Sequence, residues 1–140
     1  MSEADIVLDT SAIFSLIGDE PGADIVEAAL DDGRAGKSVI AVSFASLTET
    51  FYNTMQLADR TRATEIISRI KSWPVEVIYP DEVLCLVAGE IKALFAVSFA
   101  DAFVGATARE LKAVLYHKDP EFESLRGTVK LRELPYKRRR

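Results

Sequence analysis

The chain has 140 residues, and its 17 Lys and Arg residues against 22 Asp and Glu residues give a formal net charge of −5. This length predicts one domain over residues 1–136 with a basic tail at 137–140, while 49% hydrophobic and 28% charged residues exclude a disordered or membrane-spanning chain. One cysteine and one histidine exclude a disulfide framework and catalysis by a histidine pair, so carboxylate chemistry is what remains.

Short apolar runs alternate with helical stripes along the chain. Residues 6–8 predict a buried strand, residues 9–11 a turn after it, and residues 18–22 a loop. Helices are predicted at 23–30, 43–58, 61–72, 80–94 and 98–112, and the remaining strands at 39–42, 75–79, 113–116 and 129–134. Strands that alternate with helices predict an α/β fold with a mainly parallel sheet covered by helices on both faces.

In such folds, ligands bind at the carboxyl ends of the strands, so acidic residues there are the first candidates for a functional site. Asp9 ends the first strand and Asp119 follows the fourth. Asp101 falls in the first turn of the helix that Ser98 caps. Glu49 lies in the helix after the second strand, within reach of the same edge of the sheet.

Four carboxylates in one cleft would repel one another, since a pair about 4 Å apart costs about 4 kcal/mol at an effective dielectric constant near 20. Bound Mg²⁺ or Mn²⁺ removes this repulsion, because hard cations take oxygen ligands. Such ions activate water and stabilise an in-line displacement at phosphorus. The pattern therefore predicts metal-dependent hydrolysis of a phosphodiester.

Each acid also has a purely structural interpretation. Asp9 is placed to cap a helix or to close an Asx-turn. Glu49 has the spacing of a capping box with Ser46, and Asp101 has the same spacing from the cap of its own helix. Asp119-Pro120 is typical of a turn. The pattern alone leaves both interpretations open.

No targeting segment is visible at the start of the chain. Residues 1–5 are acidic where a signal peptide is basic, and no uncharged stretch reaches the length of a membrane span. With a single cysteine, these features predict a protein of the reducing cytoplasm that makes no membrane contact.

Four segments, taken in order, resemble the PIN-domain family and specifically its small VapC-type toxin ribonucleases. They are residues 6–12, 43–49, 98–108 and 115–122, of which the third is the most specific. The resemblance implies a three-layer α/β/α sandwich with a mostly parallel five-stranded sheet and a Mg²⁺- or Mn²⁺-dependent endoribonuclease site. Carried onto this chain, the catalytic, metal-binding acids are Asp9, Glu49, Asp101 and Asp119.

The resemblance also implies roles and partners. Asp9 and Asp101 are expected to bind the metal directly, and the hydroxyl of Ser11 or Thr10 to contact a metal-bound water. The family often has a small or hydroxyl residue just before the fourth acid, where this chain has His117-Lys118. Expected partners are an RNA substrate, a cognate antitoxin protein and a second copy of the chain in a homodimer.

Two other classes of function compete with a nuclease. One is a PIN-like module that binds RNA or a protein without cutting it. The other is a phosphatase that uses Asp9 as nucleophile, although Ser11 stands where haloacid-dehalogenase-like enzymes carry a second Asp. The intact set of acids favours the nuclease.

Overall fold

The protein is described by a computed structural model that covers residues 3–136. Its centre is a five-stranded sheet in the order β3-β2-β1-β4-β5, and each pairing of neighbouring strands is parallel. The carboxyl ends of these strands therefore share one edge. The strands are β1 (Ile6–Leu8), β2 (Ile40–Ser43), β3 (Val75–Ile78), β4 (Val114–His117) and β5 (Lys130–Glu133).

Six α-helices and one 3₁₀ helix connect these strands. The α-helices are α1 (Thr10–Ile17), α2 (Ala23–Arg34), α3 (Phe44–Leu57), α4 (Arg60–Lys71), α5 (Glu82–Leu94) and α6 (Phe99–Leu111), and the 3₁₀ helix is Pro120–Leu125. No single helix among residues 3–136 has the length and apolar character to cross a membrane; α5 and α6 meet that test only as a pair, which bends by 120°.

The sheet separates two hydrophobic cores, because successive side chains of a strand point to opposite faces. On one face, Val7 of β1 and Leu115 of β4 pack with α5, α6 and the 3₁₀ helix. On the other, Ile6 and Leu8 of β1 pack with α1, α2 and α4. These layers confirm the α/β/α sandwich with a five-stranded parallel sheet that the resemblance implies.

The start of the chain departs from the sequence prediction. Residues 9–11 do not form a simple turn, because helix α1 begins at Thr10 directly after the first strand. Asp9 caps this helix, since its Oδ1 accepts the N–H of Ala12 at 2.8 Å. Helix α1 is 8 residues long, too short for its apolar spacing to be distinctive, and only the burial of Ala12 and Ile13 reveals its inner face.

Candidate active site

Asp9 lies at the centre of the carboxyl edge, where β1 runs into α1. The Ser11 hydroxyl donates to both carboxylate oxygens of Asp9, at 2.7 and 2.8 Å, and the Ala12 N–H donates to one of them. Asp9 is only 4% exposed, and its pKa is raised to about 7, mainly by burial. The hydrogen bonds from Ser11 and Ala12 lower this pKa, whereas the charges of Asp119 and Glu49 add to the rise. Burial and the neighbouring acids therefore destabilise the charged form of this carboxyl.

Asp101 stands in the first turn of α6, whose N-cap Ser98 accepts the Asp101 N–H through its side chain. The residue is 8% exposed, yet no N–H or O–H within residues 3–136 donates to its carboxylate. The pKa of Asp101 is raised to about 8, mainly by burial. Contacts with the carboxyls of Glu121 and Asp119 and the charges of Asp119 and Glu49 raise it further. Asp101 is thus a largely buried acid that faces other acids.

Asp119 and Glu121 complete the innermost group. Asp119 caps the 3₁₀ helix by accepting the Glu121 N–H at 2.9 Å, and this tight turn brings the Glu121 side chain back toward the sheet. One carboxylate oxygen from each of Asp101, Asp119 and Glu121 lies within 4.8 Å of the others. We call these three residues together with Asp9 and Glu49 the acidic centre.

Glu49 reaches the acidic centre from helix α3. The Thr10 hydroxyl donates to Glu49 Oε1 at 2.8 Å, which connects the start of α1 to α3. The charge of Glu49 contributes to the raised pKa of both Asp9 and Asp101. The structure therefore places all four acids named from the sequence at one edge of the sheet.

Glu121 was not among the site residues predicted from the sequence. It lies within the fourth PIN-like segment, two residues after Asp119, and side chains at this spacing share one side of an extended chain. A second signal was Pro120, since proline at the first position of a helical turn predicts that the chain folds back there.

Lys118 and His117, which precede Asp119, have structural roles. The Lys118 N–H donates to the Ser11 hydroxyl at 2.8 Å, so this hydroxyl joins β4 to the Asp9 carboxylate. The Lys118 side chain is 10% exposed, and its Nζ lies 3.7 Å from Oε1 of Glu20. His117 is fully buried against Phe122, and burial lowers its pKa. His117 is therefore placed to pack beneath the 3₁₀ helix instead of contacting substrate.

The donor set of the acidic centre fits a hard divalent cation. Its ligand atoms are carboxylate oxygens, which Mg²⁺ and Mn²⁺ prefer, and its innermost members are close enough to share one ion. A cation there would also offset the charge of Asp101, which is 8% exposed and faces the carboxyls of Glu121 and Asp119. The residues present therefore fit such a metal.

An α/β/α sandwich with carboxylates gathered at the carboxyl edge of a parallel sheet defines the class of this protein. Residues 6–127 match the model of the PIN domain, and the chain belongs to this family. None of the curated proteins compared with the chain matches it significantly in sequence.

Solved structures share the fold at low sequence identity. One is VapBC2 from Rickettsia felis bound to a DNA fragment from their promoter, with a TM-score of 0.74, 16% identity and coverage of 93% of this chain and 98% of that one. DNA-bound VapBC from Salmonella typhimurium has a TM-score of 0.74 and 19% identity, and the match covers 95% of this chain and 98% of that one. Mycobacterium tuberculosis VapC20, a Sarcin-Ricin loop cleaving toxin, has a TM-score of 0.70 and 22% identity, and the match covers 94% of this chain and 100% of that one.

Proposed function

We propose that the protein is a metal-dependent endoribonuclease that hydrolyses RNA phosphodiester bonds. The observation that carries this proposal is the acidic centre: a carboxylate oxygen of Asp101, a residue only 8% exposed, lies within 4.8 Å of carboxylate oxygens of Asp119 and Glu121. Acids held so close repel one another when all are charged, and either retained protons or a bound cation relieves that repulsion. Membership of the PIN domain family agrees with this chemistry.

The catalytic and metal-binding residues of the proposal are Asp9, Glu49, Asp101 and Asp119, to which we add Glu121. Bound Mg²⁺ or Mn²⁺ would supply charge stabilisation at the scissile phosphate and an activated water. Ser11 and Ala12 hold the Asp9 carboxylate in one orientation, and Thr10 does the same for Glu49. These hydrogen bonds keep the acids in place before any ion or substrate arrives.

The test is cleavage of a structured RNA pool in Mg²⁺, Mn²⁺ or EDTA by wild type, Asp9→Asn, Asp101→Asn and the control Glu76→Gln. Glu76 is an exposed acid in β3, away from the carboxyl edge. We expect cuts that need the metal, persist in Glu76→Gln and vanish in the other two variants while these remain folded. Cuts that persist in Asp9→Asn and Asp101→Asn would contradict the proposed site.

A second outcome of the same test distinguishes a nuclease from a PIN-like module that binds RNA without cutting it. If wild type and Glu76→Gln both bind RNA without cutting it in either metal, the protein is a binding module of the PIN fold. Metal binding is then measured from the melting temperature with and without Mg²⁺ or Mn²⁺, because a cation that binds the folded state raises this temperature even when no RNA is cut.

We further propose that the protein is the toxin of a toxin–antitoxin pair, by its likeness to VapC-type toxins. The expected partners are a cognate antitoxin that covers the acidic centre and a second copy of the chain. The test is co-expression with the protein encoded beside it: growth arrest by the nuclease alone and growth restored by the neighbour are expected. A cytoplasmic location belongs to the same proposal, and fractionation of the expressing cell tests it.

A further inference from the structure

A recess lined by cations lies at the edge of the sheet opposite the acidic centre, where helix α6 ends and the chain enters β5. Two adjoining cavities of about 230 and 490 Å³ form it, and residues 128–130 are their common wall. No acidic side chain among residues 3–136 lines either cavity. The cations that line them, which define the cationic recess, are Arg109, Lys112, Arg126 and Lys130.

This group of cations is unusual in an acidic chain. The net charge is −5, and the 13 Lys and Arg residues of 1–136 stand against 22 Asp and Glu residues. Four of those 13 cations lie in the cationic recess. An acidic protein attracts a polyanion only where its cations are grouped, because the acids around isolated cations offset their charge.

The cations of the recess are available to an incoming anion. Lys130 is paired with no acid among residues 3–136. Arg109 lies 3.7 Å from Glu90. Lys112 lies 3.4 Å from Glu3, and both of these side chains are more than 70% exposed. Exposed pairs of this length are weak, since water and salt screen them, so a phosphate can take the place of the acid.

The exposure of these cations suits the phosphates of a polymer better than a small molecule. A small-ligand site encloses most of its ligand, whereas the Lys112 side chain is 75% exposed. A nucleic-acid backbone binds instead through many separate contacts between phosphates and Lys or Arg side chains. The hydroxyl of Thr128, in the common wall, is a further donor of the kind that binds phosphate oxygens.

Strand β4 connects the cationic recess to the acidic centre. It begins at Val114, next to Ala113 in the wall of the recess. It ends at His117, two residues before Asp119. Four strand residues at about 3.3 Å each span about 13 Å. Phosphates of one strand follow one another by about 3.4 Å along a double helix, so about four nucleotides cover this distance.

We propose that the cationic recess binds backbone phosphates of the RNA a few nucleotides from the bond that is cut at the acidic centre. The inference rests on the proposed nuclease function, because it takes RNA as the ligand. An acidic segment of a protein partner is the competing occupant. RNA is favoured, because the same strand that fills the recess also has to reach the acidic centre, to which an acidic peptide has no attraction.

The test measures how the affinity for single-stranded RNA depends on KCl at one fixed MgCl₂ concentration. The parent protein is the full chain with Asp101→Asn, which prevents cutting in the proposed mechanism. The recess variant adds Lys112→Gln and Lys130→Gln to the parent. The charge control instead adds Arg60→Gln and Lys71→Gln, two exposed positions of α4 outside the recess. Both variants lose two positive charges, so they differ only in where the charges are lost.

We expect the recess variant to reduce the slope of log affinity against log salt by about 1.4, since each phosphate contact on a single strand contributes about 0.7. At about 50 mM KCl, it should bind RNA at least about 10-fold more weakly than the parent. The charge control should match the parent. Lys112→Arg with Lys130→Arg keeps both charges and should restore the slope, while circular dichroism reports whether each variant is folded. Equal slopes in the recess variant and the charge control overturn the inference.

Cutting assays separate the outcome for the recess from that for the nuclease. With Asp101 intact, Lys112→Gln and Lys130→Gln together should raise KM for RNA about 10-fold and leave kcat unchanged, because the recess lies away from the reacting atoms. If this variant cuts with the KM of wild type, the recess is wrong and the nuclease stands. If the slope falls as expected but wild type cuts no RNA, the nuclease is wrong and the recess remains an RNA contact.

Two further outcomes overturn the inference. If neither wild type nor the parent binds RNA, the proposals for the recess and for the nuclease both fall. If the recess variant loses an acidic protein partner while it binds RNA as tightly as the parent, the recess belongs to that protein.

Discussion

Asp9 and Asp101 share one edge of the sheet but differ in what surrounds them. Asp9 receives hydrogen bonds from Ser11 and Ala12, whereas Asp101 receives none from residues 3–136. Burial raises the pKa of both, to about 7 and about 8. Without a cation, each carboxyl therefore keeps its proton at a pH where an unfolded chain has lost it.

The metal-free protein is expected to lose stability as the pH rises. A carboxyl whose pKa is raised on folding contributes stability that is complete below its unfolded pKa of 3.8 and is lost as the pH passes through about 7 to 8. In EDTA, the melting temperature should fall by at least about 5 °C between about pH 5 and pH 8.5. Differential scanning fluorimetry across this range measures the fall.

Two comparisons identify the groups responsible for that fall. Asp101→Asn should flatten the decline, while Glu76→Gln should keep the wild-type slope. Saturating Mn²⁺ should also flatten it, because a bound cation stabilises the charged carboxylates. A melting temperature that rises steadily with pH in EDTA would show that these acids are charged in the folded protein.

Ser11 is the residue whose loss should disturb the most contacts at the site. Its hydroxyl donates to both oxygens of Asp9 and accepts the Lys118 N–H. Ser11→Ala should therefore cost about 1–3 kcal/mol of unfolding free energy and weaken Mn²⁺ binding. Urea unfolding and calorimetric titration measure the two effects. Ser68→Ala, at an exposed position of α4, should change neither; equal behaviour of the two variants would contradict the role of Ser11.

At the scale of elements, helix α6 and the 3₁₀ helix form one supporting unit. Helix α6 carries Asp101 at its start, and the 3₁₀ helix carries Glu121. The two come so close at Gly105 that a Cβ there would lie 2.7 Å from Cδ1 of Leu125, which is itself fully buried. The absence of a side chain at Gly105 thus lets α6 pack closely against the 3₁₀ helix that carries Glu121.

Gly105→Ala should therefore reduce both stability and metal affinity. The added methyl must displace Leu125 within a packed core, at a cost of about 1–3 kcal/mol. Gly89→Ala in α5 is the matched control, because a Cβ there meets nothing within 4 Å and alanine favours a helix by about 1 kcal/mol. Thermal unfolding and Mn²⁺ titration test both variants. Tighter Mn²⁺ binding in Gly105→Ala would show that the close approach does not position the site.

The sequence predicted the elements with strong local signals and missed those that depend on neighbours. Helix α3 and helix α6 were predictable from apolar spacing and from their serine caps. Helix α1 was not, because its inner face is defined by α2 and by the sheet that covers it. Asp9 and Asp119 followed from their positions at strand ends, and Asp101 and Glu49 from their positions in the helices α6 and α3, but Glu121 was placed only by the geometry of the 3₁₀ helix.

At the scale of the whole molecule, the surface formed by α5 and the start of α6 exposes several large apolar side chains. Val83, Leu86 and Leu94 of α5 and Phe99 of α6 are 59 to 72% exposed, and a groove of about 370 Å³ runs between the two helices. Exposed apolar surface of this kind is typical of protein–protein contacts. We expect it to contribute to the proposed homodimer.

Leu86→Glu should convert a dimer to a monomer, because it would bury a charge in the contact. Size-exclusion chromatography with light scattering measures the mass. Leu57→Glu is the control, since Leu57 is 86% exposed at the end of α3 and lies outside this surface. A wild type that is monomeric at all concentrations would contradict the homodimer, and a dimer retained in Leu86→Glu would place the contact elsewhere.

The strand order has a consequence for how the protein is made. β1 pairs with β4, so Asp9 from the first strand meets Asp119 only after most of the chain exists. A ribosome that has added the first hundred residues has made Asp9 and Glu49 but not Asp101, Asp119 or Glu121. An unfinished chain therefore holds an incomplete set of acids, and a cell that interrupts translation before β4 releases a fragment that cannot assemble the acidic centre.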